Sequence, residues 1–300
     1  MKDETGKGQS RDILGKTQQQ EHPSTYVVQD RENQKEFQRL TIQDQMVTKG
    51  MGGVLPEQPD PTVFRRVLDV ACGTGGWAIE AARTYPAMSV VGIDISQRMI
   101  AYAREQAVAQ QVSDRVEFHV MDALRILEFP DRFFDLVNLR FGVSFMRTWD
   151  WPKMLSELLR VTRPGGVIRI TDGEIVHVTN SPAFKRFFEE ILQRALYRAG
   201  HLFADESAGL NDHLARLLTQ HGCRNVQTRA YPLTFRAGTP EWQSYYDDAT
   251  HALQTVRPFF QKWGSVTEEY DAIKQQTLDE MQRPDFYGTW NLLTAWGSKA

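Results

Sequence analysis

The clearest fold signal in this chain is the stretch VLDVACGTGGWAIEAA at residues 67–82. It predicts an apolar strand that carries Asp69, a turn with three glycines, and a helix that begins near Trp77. Glycine tolerates unusual backbone dihedral angles, and its missing side chain lets a ligand approach the main chain closely. The stretch therefore predicts a strand–turn–helix unit that binds a nucleotide-like cofactor, and the plain alternative is a tight turn without a ligand.

Further strand and helix patterns follow this unit in regular alternation. The predicted strands lie at 66–70, 89–93, 116–120, 134–139 and 167–171. Amphipathic patterns at 97–110 and 151–161 predict helices between them. Because the strands are almost continuously apolar, they indicate a parallel sheet covered on both faces. The predicted fold class is α/β, a doubly wound and mostly parallel sheet whose ligand lies beyond the carboxyl ends of the strands.

The two ends of the chain differ from this alternating core. Residues 1–24 are polar and glutamine-rich, and we expect a disordered tail there, followed by a helical segment at 25–60. Residues 61–300 are expected to form one domain. Within it, the apolar stripe at 184–196 predicts a helix packed in the core, and the aromatic-rich stretch at 240–282 predicts a helical insertion.

Composition excludes several classes of protein. The chain has 300 residues, 41% of them hydrophobic, and a net charge of −3, which argues against overall disorder and against a duplex nucleic-acid partner. No run approaches the roughly 20 apolar residues that span a membrane, and the polar N-terminus lacks the centre of a signal peptide. Cys72 and Cys223 are too few for a disulfide framework, and the histidines show no metal-ligand spacing. We expect a cytoplasmic protein without a metal.

Two acidic residues narrow the kind of cofactor. Asp94 ends the second predicted strand, where a carboxylate can accept hydrogen bonds from ribose hydroxyls. The glycine turn also fits the dinucleotide fingerprint G-x-G-x-x-G/A, which leaves a nicotinamide-dependent oxidoreductase open as an alternative. However, Asp69 lies near the carboxyl end of its strand, where a carboxylate suits a cationic ligand better than a pyrophosphate. A sulfonium with an amino-acid tail is such a ligand.

The stretch resembles motif I of the class I S-adenosylmethionine-dependent methyltransferases. Four more segments resemble the family's later motifs, in order: VVGIDIS at 90–96, Met121-Asp122-Ala123, FDLVNLRF at 134–141 and LLRVTRPGGVIRITD at 158–172. The resemblance covers about 65–172 and is specific as a set. It implies a Rossmann-like methyltransferase domain with seven strands, in which 286–298 forms an antiparallel seventh strand inserted between the fifth strand and a sixth strand at 225–235. It also implies that 240–282 is a substrate cap.

The resemblance implies S-adenosylmethionine as the cofactor and assigns residues to it. The implied cofactor residues are Tyr26, Asp69, Ala71, Gly73, Gly75, Asp94, Ile95, Met99, Asp122, Ala123, Asn138 and Arg140. In this assignment Asp94 binds the ribose and Asp122 the adenine amino group. Asp69 and the glycine turn hold the methionine part, which Asn138 faces, and Tyr26 covers the cofactor.

Methyl transfer is an in-line displacement, so alignment of the two reactants supplies much of its acceleration. A base is needed only where the acceptor must lose a proton. His177 and Glu174, just past the fifth strand, are the candidate bases, and the alternative for each is a solvated residue at the rim. Abundant aromatic side chains predict an apolar or aromatic acceptor. The candidate substrate residues are Phe141, Phe145, Tyr245 and Tyr246.

The acceptor class is limited by motifs that this chain lacks. The segment Asn138-Leu139-Arg140-Phe141 has no prolines, unlike that of nucleobase amino-methyltransferases, and the paired-glutamate loop of protein arginine methyltransferases is missing. We expect a small molecule such as a quinone, polyketide, isoprenoid or other specialised metabolite, methylated on oxygen, carbon or nitrogen. The oxidoreductase, and a cofactor-binding scaffold or cyclase on the same fold, stay open as alternatives. A homo-oligomer is also open, because the aromatic cap can serve a subunit interface.

Overall fold

Strands and helices alternate through the first half of the chain, as the sequence predicts. The computed structural model describes residues 26–28, 34–263 and 269–300, and the predicted tail at 1–24 lies outside them. The strands are β1 (Arg66–Val70), β2 (Ser89–Asp94), β3 (Val116–Val120), β4 (Phe134–Arg140), β5 (Thr162–Gly173), β6 (Val178–Thr179), β7 (Cys223–Arg236) and β8 (Tyr287–Lys299). The helices are α1 (Gln34–Met51), α2 (Gly76–Thr84), α3 (Gln97–Ala109), α4 (Trp151–Val161), α5 (Pro182–Arg186), α6 (Arg194–Arg198), α7 (Asn211–Gln220), α8 (Pro240–Thr255), α9 (Arg257–Lys262) and α10 (Tyr270–Met281).

All the strands belong to one sheet, in the order β3-β2-β1-β4-β5-β8, with β7 and the short β6 both paired to β8. Strands β1 to β5 are parallel to one another. Strand β8 is antiparallel to β5 and to β7, so the last segment of the chain lies between two earlier strands. This is the insertion that the resemblance implies. The parallel strands therefore all end at one edge of the sheet.

Two apolar layers cover the central strands. Neighbouring residues Val67 and Leu68 of β1 are both fully buried, although they point to opposite faces. Trp77 of α2 belongs to the layer on the Val67 side, and Leu155 of α4 belongs to the layer on the Leu68 side. Because both faces are covered, the strands need apolar residues at consecutive positions, which explains the continuous pattern seen in the sequence.

The later helices pack around the end of the sheet at which the parallel strands terminate. Helix α1 packs along α8, and α10 packs on α5. A third apolar cluster joins these helices to β7 and β8 through Val47, Phe184, Tyr245 and Trp290. Between α5 and α6 the chain forms a π-helix at Phe187–Gln193, where the sequence predicts a regular helix. None of the helices in the described residues has the length and apolar character that a membrane span requires.

Candidate active site

A cavity of about 320 Å³ lies at the carboxyl edge of the sheet, between the strand ends, α1, α8 and the π-helix. It is lined by most of the residues that the sequence assigns to cofactor, base or substrate. These lining residues are Tyr26, Ala71, Gly73, Asp94, Ile95, Met99, Asp122, Ala123, Arg140, Phe141, Phe145, Glu174, His177 and Tyr245. A smaller cavity of about 70 Å³ shares Ala71, Gly73 and Arg140 with it and adds Asp69.

The glycine turn is held by the acidic residue at the end of β2. Ala71 and Gly73 have φ angles of 55° and 53°, a region that side chains disfavour. The Asp94 carboxylate accepts the Gly73 N–H at 3.0 Å through one oxygen and the Ser96 N–H at 2.8 Å through the other. Asp94 therefore fixes the loops after β1 and β2 to each other while it lines the cavity.

Gly75 lies beneath this turn and lines neither of the two cavities, although the resemblance implies a cofactor contact. It is the N-cap of α2 with a φ of 77°. A Cβ atom at this position would come within 2.6 Å of the Phe118 ring and 2.8 Å of the Ala103 Cβ. The glycine is therefore needed for close packing of α2 against β3 and α3, and its implied cofactor contact stays a prediction.

A buried polar chain supports Asp69 from inside the sheet. Asn138 is fully buried, donates to Asp69 Oδ1 at 2.8 Å, and accepts from Arg169 Nη1 at 2.7 Å. Arg169 is ion-paired with Glu57 at 2.7 Å. Asn138 lines neither cavity, and its implied place facing the methionine part of the cofactor stays a prediction. Successive side chains of β4 point to opposite faces of the sheet. The Asn138 side chain therefore points to the face on which it contacts the Asp69 carboxylate and Arg169.

The smaller cavity combines two acids with one guanidinium. Burial raises the pKa of Asp69 to about 7, opposed mainly by Arg140 and by the Asn138 hydrogen bond. Arg140 is ion-paired with Asp44 of α1, which also lines this space. Two carboxylates and a guanidinium match the ammonium and carboxylate groups of an amino acid. The position of Asp44 is not evident from the sequence, because it comes from a helix before the sheet.

The loops after β2 and β3 form another part of the wall. They contribute Ile95, Met99, Asp122 and Ala123. The Met121 N–H donates to the Asp94 carbonyl at 2.9 Å and joins the two loops. Asp122 Oδ1 accepts the Leu124 N–H at 2.9 Å, which fixes the carboxyl group at the start of its turn. These residues provide an acidic hydrogen-bonding group beside apolar surface, as a purine with an amino group requires.

A buried charged cluster connects α1 to α8 at the side of the cavity. Arg39 donates to both oxygens of Glu36 at 2.7 and 2.8 Å and to Asp248 at 3.3 Å. Tyr26 donates to Glu36 at 2.7 Å. Burial raises the pKa of Tyr26 well above its usual value, and the nearby Glu36 raises it further. Tyr26 thus lines the cavity as a neutral phenol held by a carboxylate.

His177 lies in an aromatic wall, where the sequence allows either a base or a solvated rim residue. Its ring stacks on Phe188 at 4.9 Å and on Trp290 at 5.3 Å between centroids. Its Nδ1 atom is 2.5 Å from the Tyr245 hydroxyl. The residue is only 8% exposed, and burial lowers its pKa to about 3. The solvated alternative is therefore wrong, and the ring is neutral at ordinary pH.

The apolar stripe at 184–196 faces the cavity as well as the core. Its members that line the cavity are Phe184, Phe187, Phe188, Leu192 and Leu196. Core packing is confirmed, since Phe187, Ile191 and Leu196 are buried in the core, and the stripe lines the cavity in addition. The π-helix has more residues per turn than an α-helix, so side chains of one stripe face both the core and the cavity. Phe187 illustrates this arrangement, because its ring also contacts Phe260 at 5.7 Å.

Tyr246 lies outside the cavity, although the sequence groups it with Tyr245 as a substrate residue. Its ring stacks on Trp242 at 5.4 Å, and its hydroxyl accepts from Gln282 at 2.7 Å. Consecutive residues of a helix point about 100° apart, so one of two adjacent tyrosines faces away. Tyr246 is therefore not carried forward as a substrate residue.

Glu174 lines the aromatic end of the cavity. One of its carboxyl oxygens accepts from the Asn291 amide at 2.8 Å, and its backbone carbonyl accepts from the Trp290 indole at 2.9 Å. Within the described ranges it forms no ion pair. The same part of the chain shows no group of three His, Cys, Asp or Glu side chains arranged for a metal ion.

Several known proteins are similar to this chain over part or most of its length. Residues 67–166 match a family described as a methyltransferase domain. A demethylmenaquinone methyltransferase of Deinococcus radiodurans is 34% identical over 183 residues, which are 57% of this chain and 71% of that protein. A ubiquinone/menaquinone biosynthesis C-methyltransferase of Geobacter sulfurreducens is 36% identical over 144 residues, 48% of this chain and 54% of its own, so the chain spans about half of that relative. A solved [4+2]-cyclase covers 93% of this chain and 99% of its own with a TM-score of 0.50 and 18% identity, and shares the fold.

Proposed function

Because the chain belongs to the class I S-adenosylmethionine-dependent methyltransferases, we propose that it transfers a methyl group from S-adenosylmethionine to a small aromatic or otherwise apolar metabolite. The observation that carries this proposal is the continuity of the main cavity. Its wall runs from the glycine turn and Asp94 to the aromatic rings around His177. One space can therefore hold a cofactor beside an apolar acceptor, which is the alignment that a displacement reaction needs.

The residues around the glycine turn fit S-adenosylmethionine. In our proposal Asp69 and Asp44 attract the ammonium group, and Arg140 binds the carboxylate. Asp94 accepts from the ribose, and Asp122 accepts from the adenine amino group. The remaining assigned contacts come from Tyr26, Ala71, Gly73, Ile95, Met99 and Ala123. When bound, S-adenosylmethionine supplies a methyl group on a cationic sulfur, whose displacement leaves a neutral thioether.

We assign the base to Glu174 for acceptors that must lose a proton. A carboxylate without an ion pair in the described residues can take the proton of an acceptor hydroxyl at the aromatic end. His177 is a poor base, because burial lowers its pKa to about 3.

We also propose that 240–282 acts as a substrate cap on the domain at 61–300. Its α8 contributes Tyr245 and Asp248 to the wall.

Finer features of the function stay predictions. The relatives named above methylate quinone precursors by their printed names, and this supports a ring-bearing acceptor over a nucleic acid. We keep a role in specialised metabolism as a prediction. A cytoplasmic location is also a prediction, with which the two cysteines agree because they form no disulfide. Membership of the methyltransferase family argues against the nicotinamide-dependent oxidoreductase.

Thermal unfolding with added ligands tests the cofactor. We expect S-adenosylmethionine and S-adenosylhomocysteine each to raise the melting temperature, and NADH to leave it unchanged. A ligand at a hundred times its Kd stabilises the folded state by about 2.7 kcal/mol, which is a measurable shift. A shift with NADH alone contradicts the proposal. Binding of the adenosyl compounds without methyl transfer to a panel of hydroxyarenes favours the scaffold or cyclase.

The affinity for S-adenosylmethionine is expected to fall as the pH drops below about 7. Burial raises the pKa of Asp69 to about 7, and only its ionised form attracts a cationic ligand. The affinity is therefore full above this pKa and decreases by up to about tenfold per pH unit below it. Calorimetric titrations between about pH 5.5 and 8.5 measure the slope. Asp69→Asn is the control and should bind weakly with no such slope, and equal slopes in both proteins would contradict the role of Asp69.

A further inference from the structure

His177 and Tyr245 form a polar pair within an aromatic wall. The His177 Nδ1 atom and the Tyr245 hydroxyl are 2.5 Å apart, and the two residues are 8% and 2% exposed. The rings of Phe184, Phe188 and Trp290 lie within 5.5 Å of the imidazole centroid. Water has little access to such a pair. The two groups must therefore satisfy each other, and this requirement decides where the protons are.

The hydroxyl of Tyr245 must be the donor in this hydrogen bond. Burial raises the pKa of Tyr245 well above its usual value, so the phenol keeps its proton. Its hydroxyl has no second hydrogen-bond partner in the part of the chain that the structure describes. If Nδ1 carried the ring proton, the phenolic proton would have no acceptor among the described residues, which is unfavourable for a buried group. Nδ1 is therefore the acceptor.

The neutral imidazole then carries its single proton on Nε2. The ring lines the cavity, and Nε2 forms no hydrogen bond within the described ranges. This N–H group has no protein partner in the described residues, and it belongs to a ring that lines a cavity with aromatic neighbouring walls. Such a group favours a ligand that brings an acceptor atom on a flat apolar frame.

We propose that the Nε2–H group of His177 donates a hydrogen bond to an oxygen atom of the acceptor, which is a hydroxylated aromatic ring. This inference rests on the proposed function and names the substrate class of that site. When Glu174 takes the proton of the acceptor hydroxyl, the oxygen keeps the electron pair and a negative charge. The His177 N–H offsets that charge. Tyr245 is a positioning residue, because it fixes the imidazole proton on Nε2.

Nitrogen NMR of the full chain tests the proton assignment without any ligand. Nitrogen-15 shifts distinguish a protonated ring nitrogen from a bare one, and a His177→Phe variant identifies the signals of this ring. We expect a protonated Nε2 and a bare Nδ1 that do not titrate between about pH 5 and 8. A proton on Nδ1, or a ring that titrates in this range, overturns the proposal.

Binding of two matched probes tests the substrate class. The probes are 1-naphthol and naphthalene, each titrated into protein saturated with S-adenosylhomocysteine. The ratio of their affinities isolates the hydroxyl group, and we expect His177→Phe to lower the preference for 1-naphthol by about tenfold relative to the wild type. Tyr245→Phe is expected to lower it partly, because Nδ1 can then carry the proton. Tyr246→Phe, whose hydroxyl lies outside the cavity, is the control and should keep the wild-type ratio.

The outcomes separate this inference from the proposed function. An unchanged ratio in His177→Phe, in a protein that still binds S-adenosylhomocysteine, overturns the role of His177 and leaves the methyltransferase proposal intact. Failure of the wild type to bind S-adenosylhomocysteine contradicts the proposed function, and the NMR measurement on the free protein still decides the proton assignment. The affinity of each variant for S-adenosylhomocysteine also reports whether it folds.

Discussion

Replacement of Asp94 by alanine is expected to weaken the binding of S-adenosylmethionine by at least about 100-fold. Two hydrogen bonds from ribose hydroxyls to a carboxylate are lost, and each contributes about 1.5–3 kcal/mol. The variant also loses the acceptor for the Gly73 N–H at 3.0 Å and for the Ser96 N–H at 2.8 Å. The glycine turn therefore loses one of its supports together with the ligand contact. Calorimetric titration of the full chain measures the effect.

Asp114→Ala is a suitable control for this experiment. Asp114 precedes β3, and its exposed carboxylate pairs with the adjacent Arg115 and lines neither cavity. This variant should bind the cofactor as the wild type does. Circular dichroism of both variants separates loss of binding from loss of fold. If Asp94→Ala bound S-adenosylmethionine with unchanged affinity, the cofactor site proposed here would be wrong.

Glu57→Gln is expected to lower the free energy of unfolding by about 3–5 kcal/mol. Glu57 accepts from Arg169 at 2.7 Å, and the arginine is only 1% exposed. Burial raises the pKa of Glu57, but the pairing with Arg169 outweighs it, so the net pKa lies below its usual value and the carboxylate is charged. The substitution leaves an uncompensated guanidinium inside the sheet. Urea denaturation followed by tryptophan fluorescence measures the change.

Two further variants show whether the buried charge is the cause. Glu57→Gln combined with Arg169→Met removes both charges and should recover most of the lost stability. Glu80→Gln breaks the exposed pair between Arg83 and Glu80, and it should change the free energy of unfolding by less than about 0.5 kcal/mol. An equally small effect of Glu57→Gln would show that the buried pair does not stabilise the fold. The double variant should still bind S-adenosylmethionine more weakly, because Asn138 then loses the donor that orients it toward Asp69.

A sequence motif predicts which residues lie near the glycine turn better than it predicts where their side chains point. Gly73 and Asp94 both line the cavity, because Gly73 lies in the turn after β1 and Asp94 ends the adjacent parallel strand β2. Gly75 and Asn138 belong to the family motifs as well, but they line neither of the two cavities. A motif indicates that a residue is close to the turn. The packing of α2 and the alternation of β4 decide on which side of the turn its side chain lies.

The sequence by itself determined the α/β class and the strand–turn–helix unit at the glycine turn, because strand and helix periodicity and turn chemistry are properties of near neighbours. The late antiparallel strand followed from the family resemblance. The tertiary structure alone decided the polar groups that complete the site. Glu57 and Arg169 are 112 positions apart, Arg39 and Asp248 are 209 apart, and His177 and Tyr245 are 68 apart. No local pattern relates such residues. They meet because burial leaves each polar group in need of a partner, and only the packed helices around the sheet bring those partners within reach.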